Sequence, residues 1–144
     1  MIDDDRLRFQ LYDITMREGA PPSIARLAEV LIAADSDVIE SLGRLAAKRM
    51  IVLQENGEIL MAGPFSAVPT SFQVTLDGLS TFGNCIWDAF GIAATMRQDA
   101  RIDTSCGDCG SAATLLVHNG EADGEGFMHF ALPPRQWWDD VVFT

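Results

Sequence analysis

Basic residues are scarce in this chain: Lys and Arg together number 10 against 21 Asp and Glu, a formal net charge of −11. That balance repels phosphate backbones and anionic lipid surfaces, so neither nucleic acid nor a membrane is an expected partner. No window approaches the about 18 consecutive apolar residues of a membrane span. The chain opens on Asp3, Asp4 and Asp5 rather than on a basic stretch followed by an apolar run, so no secretory leader is expected and the reading is cytoplasmic. Cysteine is also sparse. Cys85, Cys106 and Cys109 are too few, too close and odd in number for a secreted disulfide framework, which leaves thiol chemistry or metal binding. Apolar residues are not lacking: at 48% of 144 residues they exclude general disorder and allow one ordinary core or two small packed subdomains.

The first half reads as three helices and a hairpin. Leu7, Leu11 and Ile14 recur at helical spacing behind acidic residues that suit a first turn, and Gly19 stops that helix. A second begins at Pro21, Pro22 and Ser23 with Ile24, Leu27, Ala28 and Leu31 as its apolar stripe; a third begins at Asp35 or Ser36 with Val38, Leu42 and Leu45 inward. Residues 51–53 and 59–61 then flank Glu55-Asn56-Gly57-Glu58, and the Asn-Gly pair predicts a type I′ turn. This order describes a winged-helix-like module. Such modules often bind DNA, but the third helix would present Asp35, Ser36, Asp37, Glu40 and Ser41 first, with Arg44, Lys48 and Arg49 only near its end. A packing role is the better expectation.

Residues 62–70 carry two prolines and little periodicity and read as a linker, which divides the chain into a winged-helix-like module at 1–62 and a small mixed α/β domain at 63–144. Phe72, Val74 and Leu76 alternate as a strand closed by Asp77-Gly78, and a buried helix runs from Cys85-Ile86-Trp87-Asp88 to about Met96. Ile102, residues 113–117 and residues 127–132 predict three further strands, with the acidic glycine-bearing stretch 119–126 a solvated turn. The class is α+β.

Cys85 near a helix N-terminus is the best candidate for chemistry, because oriented N–H groups there lower a thiol's pKa and the thiolate is the form that attacks electrophiles and binds soft metals. Asp88, three residues on, lies on the same helix face, where a carboxyl group can give or take a proton at an atom held by the thiol. The same residues also suit a small core cysteine and an aspartate serving the helix dipole. Cys106-x-x-Cys109 sits in a glycine-rich loop, where two thiols can chelate one soft ion or close as a reversible disulfide; structural zinc takes four ligands, and no second pair exists here. His118 and His129 could complete such a metal site, but fit a turn and a strand face better. Trp87, Trp137 and Trp138 suit either an apolar pocket for an organic group, Trp87 first among them, or core anchors.

The strand T-S-F-Q-V-T-L, then F-G-N-C-I-W-D-A-F-G-I-A, A-R-I-D-T-S-C-G-D-C-G, F-M-H-F-A-L-P-P and W-W-D-D-V-V-F-T, together resemble the organomercurial (alkylmercury) lyase family. The likeness extends over nearly the whole chain, the winged-helix-like module included, and C-x-x-D is its specific part. It implies protonolysis of a carbon–mercury bond to a hydrocarbon and Hg(II), acting on small organomercurials. The residue matching Cys85 captures the substrate as a thiolate, and that matching Asp88 handles the proton delivered to carbon. No cofactor is implied, and external thiols release the Hg(II). Cys106 matches a family cysteine regarded as structural, whereas Cys109 has no clear counterpart.

Family members carry a second catalytic cysteine shortly after a segment like W-W-D-D-V-V-F-T, and Thr144 stands just before its expected place. A shortened relative, a sequence that stops early, or a stop codon read in place of an unusual residue such as selenocysteine would each account for this. Cys106 or Cys109, or a partner chain in a homodimer, would then have to supply the second thiolate. Two other functions stand beside the lyase: a thiol protein that binds soft metal or organomercury without turnover, and a winged-helix regulator.

Overall fold

The computed structural model describes residues 1–142. Helix α1 (Asp4–Glu18) ends where Gly19 takes a left-handed φ of 84° and donates its N–H to Thr15. Helix α2 (Ile24–Leu31) is capped by Ser23, whose hydroxyl accepts from the Arg26 N–H at 3.2 Å, and α3 (Asp35–Ala47) follows. Their apolar stripes meet in one cluster: Leu7, Leu11, Ile14, Leu27, Val38 and Leu42 are fully buried together. At the rim of this cluster Asp4 accepts from Ser41 (2.8 Å), Arg44 (2.9 Å) and Lys48 (3.0 Å), which holds its carboxyl well below the usual carboxylate range. Arg44 and Lys48, near the end of α3, are thereby engaged by α1.

Strands β1 (Val52–Leu53), β2 (Ile59–Ala62) and β3 (Phe65–Ser66) form an antiparallel sheet after the three helices. The β1–β2 turn is not type I′. That type needs positive φ at both central residues, but here the Gly57 N–H bonds to Gln54 at 3.0 Å and Gly57 itself takes φ 85°, giving a turn with a left-handed glycine bulge. The register shift between Val52 and Leu53 accompanies it. Residues 62–70 are less of a linker than their prolines suggest, because Phe65 is fully buried, pairs with Ala62 on β2, and bridges to Gly83.

A second antiparallel sheet, in the order β5-β4-β6-β7-β8, comprises β4 (Gln73–Leu76), β5 (Leu79–Phe82), β6 (Ala100–Ser105), β7 (Ala112–His118) and β8 (Glu121–Asp123). Helix α4 (Ile86–Met96) packs Ala89, Ile92 and Ala93 against Val74, Ile102 and Phe65. Asp77-Gly78 therefore closes a hairpin rather than ending a lone strand, and part of the stretch read as a solvated turn is β8. Residues 127–132 form no strand. Gly124 and Gly126 leave the sheet at φ 145° and 139°, Phe127 is exposed, and a 3-10 helix (Pro134–Asp139) follows.

The two halves are packed together. Tyr12 touches both clusters and donates its hydroxyl to the Gly63 carbonyl at 3.0 Å, and a Cβ on Gly19 would meet the Ser80 carbonyl at 2.7 Å. The fold is α+β, as its alternating patterns indicated.

Candidate functional site

The site forms where β5 hands over to α4. Gly83 donates to Phe72 at 2.9 Å and accepts from the Thr70 hydroxyl at 2.6 Å, which anchors the strand end. A Cβ at Gly83 would stand 2.7 Å from the Ala89 nitrogen and 3.1 Å from the Cys85 carbonyl oxygen, so only glycine lets the helix start this close. Cys85 is the N-cap of α4. Its backbone is extended, its carbonyl accepts from Ala89 at 2.9 Å, and its sulfur accepts from the Asp88 N–H at 3.5 Å. The thiol thus fills the place a serine or aspartate usually takes.

The expected lowering of the Cys85 pKa is not what results. The thiol is half-buried, and desolvation pushes its pKa up; the Asp88 N–H pulls the other way, while the Asp88 carboxylate adds to the rise. Asp88 is itself pushed up by burial, opposed by a 2.9 Å hydrogen bond from the Asn84 amide. Burial therefore biases a thiol and a carboxyl within one turn toward their protonated forms.

Two contributors were missed in the sequence. Asn84 aims its NH2 at Asp88, at the Pro64 carbonyl (3.2 Å) and at the Phe65 carbonyl (3.3 Å), tying the carboxyl to the β2–β3 turn. Tyr12, the only tyrosine, is close enough for the Asp88 charge to help raise its pKa, after burial as the main cause. An Asn before a candidate nucleophile was a readable signal. A tyrosine 76 positions from Asp88 was not.

The structure does not gather the other candidates there. Trp87 is 58% exposed. Cys106 and Cys109 are exposed in the β6–β7 hairpin. Pairing of Phe82 with Gln73 and of Gln73 with Asp103 puts that hairpin at the same sheet end as Cys85, but two strand steps away, roughly 10 Å across the sheet. His118 closes β7 and bonds Asp99 at 2.6 Å, and His129 lies exposed in the irregular segment. Trp137 donates to the Leu132 carbonyl at 2.9 Å and stacks near Phe130, while Trp138 lies 5.9 Å from the Arg49 guanidinium. Among the described residues no group of three or more His, Cys, Asp or Glu could hold a metal ion, and no helix is long and apolar enough to cross a membrane.

Ten chains of known structure resemble this one. Among them is the mercury-bound form of MerB2, 23% identical, with a TM-score of 0.64 over 83% of this chain and 59% of that one. That likeness establishes the fold, and this chain spans about 59% of the length of its structural relative. No curated protein matches. The sequence profile of alkylmercury lyase (MerB) matches residues 65–144, from the buried Phe65 through the Cys85–Asp88 turn. With more than half of its length matched, the chain belongs to the alkylmercury lyase family.

Proposed function

We propose that the chain cleaves carbon–mercury bonds of small organomercurials by protonolysis. The observation that carries this reading is the single helical turn holding a half-buried thiol and a carboxyl that burial biases toward its protonated form. An organomercury cation arrives as a thiol complex. Cys85 bonds to mercury, and the displaced thiol leaves with the Cys85 proton. Mercury is soft and thiolate is its matching ligand, so capture at this position is favourable even for a thiol of raised pKa. A second thiolate, from an external thiol, then adds electron density to the metal. Asp88 transfers its proton to the carbon, the C–Hg bond breaks, hydrocarbon departs, and Hg(II) stays on two sulfurs until further thiol removes it. Asn84 orients the carboxyl and stabilises the carboxylate that proton transfer leaves behind.

Benzene release from phenylmercury in excess thiol tests this. Wild type turns over, Cys85→Ser does not, and Asp88→Asn binds mercury but releases little benzene. Stoichiometric binding by wild type without hydrocarbon would reduce the protein to a binding module. That second reading is favoured by one observation, the separation of Cys106 and Cys109 from Cys85 by two strand steps.

Three free cysteines fit a reducing compartment, which supports a cytoplasmic site of action. Engagement of Arg44 and Lys48 by Asp4 supports a packing role for the winged-helix-like module and argues against nucleic acid as a partner. Exposed Phe127, Met128, Trp138 and Val142 support self-association as a homodimer, which sedimentation at rising concentration would reveal.

A further inference from the structure

The β6–β7 connection is built as a tight loop around two thiols. The Cys106 N–H donates to the Ser111 carbonyl at 2.8 Å, and the Gly110 N–H donates back to the Cys106 carbonyl at 2.9 Å, so the Gly107–Gly110 excursion folds over Cys106. Gly110 takes φ 72°, a conformation that suits glycine and reverses the chain there. The reversal brings the two side chains together: the Cys106 thiol hydrogen-bonds to Cys109, and the Cys109 sulfur lies 3.1 Å from the Ser111 hydroxyl. Residues 106–111 are exposed throughout, so both sulfurs can be reached from solvent.

Each part of this arrangement favours a metal-binding thiolate pair over a packing role. The loop already holds the Cys106 thiol and the Ser111 hydroxyl within hydrogen-bonding reach of the Cys109 sulfur, so two soft donors stand together without any ion to draw them in. Neither sulfur supports a core, since both are exposed. The number of ligands also selects the ion. Among the described residues no third His, Cys, Asp or Glu joins the pair to make a metal cluster, so a four-coordinate zinc site is not formed. Soft ions that accept two thiolates fit instead. The hairpin would have to fold across β4 to share one ion with Cys85, whereas its two thiols already meet each other.

We propose that Cys106 and Cys109 form a second, independent site that chelates one soft two-coordinate metal ion such as Hg(II) on the tip of the β6–β7 hairpin. Binding exchanges ligands and involves no oxidation. Hg(II) held by two monothiolates loses them one at a time, two protein S–Hg bonds form, and the departing monothiolates take up the protons that Cys106 and Cys109 give off. Closing the second bond within one loop is favoured over a second external thiol, because its effective concentration is set by the short tether. The site needs no carbon–mercury cleavage and does not use Cys85.

The test is carried out on the reduced full chain with Cys85→Ser, so failure of the proposed lyase reaction cannot affect it. Hg(II) is presented as its complex with a monothiol in about tenfold excess over protein thiols, and the ion retained after desalting is measured with the ultraviolet absorption of the mercury–thiolate bond. The expected result is one Hg(II) per Cys85→Ser chain. Retention should fall at least about tenfold when Cys106→Ser or Cys109→Ser is added, since each leaves a single thiol to compete with the excess. Circular dichroism of the three variants should be unchanged, because the loop is exposed. No retention by Cys85→Ser, or equal retention after either further substitution, would overturn the proposal.

Discussion

Replacing Gly83 by alanine puts the closeness of β5 and α4 to a direct test. The added Cβ would lie 2.7 Å from the Ala89 nitrogen, 3.0 Å from its Cα and 3.1 Å from the Cys85 carbonyl oxygen. All three are backbone atoms of the turn that carries Cys85 and Asp88, so no flexible side chain can yield. The N-terminal turn of α4 must move by a few tenths of an ångström, against Ala89, Ile92 and Ala93 locked in the second cluster. Overpacking of this kind costs about 1–3 kcal/mol. For a domain of this size that lowers Tm by about 3–12 °C. Gly43 is the matched control: it lies exposed within α3, and a Cβ there meets nothing within 4 Å. Gly43→Ala should stabilise by about 0.5–1 kcal/mol through helix propensity and unfolded-state entropy. Urea and thermal unfolding of both variants give the comparison, with m-values checked for constancy. Gly83→Ala should also lower benzene release at temperatures where it remains folded, because its strain falls on the turn proposed to carry the reaction. If Gly83→Ala and Gly43→Ala had the same effect on stability, the tight approach would not exist in solution.

The thiols and carboxyl of the two sites should separate by their ionisation. Cys109, with its pKa near 7, should be alkylated by iodoacetamide at neutral pH several-fold faster than Cys85, whose thiol burial pushes upward; mass mapping after brief labelling would show this, and faster labelling of Cys85 would contradict it. Asp88 has a folded-state pKa above its unfolded value, so the folded state binds more protons between the two, and this group's contribution to stability falls as pH rises through that window. Asp4, Asp99 and Asp103 have lowered values and give the opposite slope, so the difference between variants is the useful quantity. The Tm of Asp88→Asn minus that of wild type should grow as pH rises from about 4 to 7, and a shrinking difference would show that the carboxyl is not desolvated.

Local signals carried well through this chain. Periodic Leu7, Leu11 and Ile14, the Ser23 cap, and Cys85 with Asp88 at i,i+3 each depend on a few neighbouring residues, and the structure forms all of them. Signals that depend on distant partners did not. Phe65 sits between prolines in sequence but is held in a strand by Ala62 and Gly83, which no local pattern could reveal. Residues 127–132 are apolar enough for a strand, yet find no edge to join once Gly124 and Gly126 turn away. The Cys85 pKa was misjudged for a related reason: the helix N-terminus is a local feature, whereas the burial that outweighs it comes from the surrounding packing. Tyr12 reaches the Asp88 neighbourhood only because α1 packs against the second cluster.

The central claim is that Asp88 delivers a solvent-exchangeable proton to the carbon of an organomercurial held by Cys85. Incubating phenylmercury with the protein and excess thiol in D2O, and analysing the benzene by mass spectrometry, tests it most directly. Wild type should yield benzene carrying one deuterium, Asp88→Asn should bind an equal amount of mercury while yielding far less, and Cys85→Ser should yield none. Undeuterated benzene, or an undiminished yield from Asp88→Asn, would contradict it.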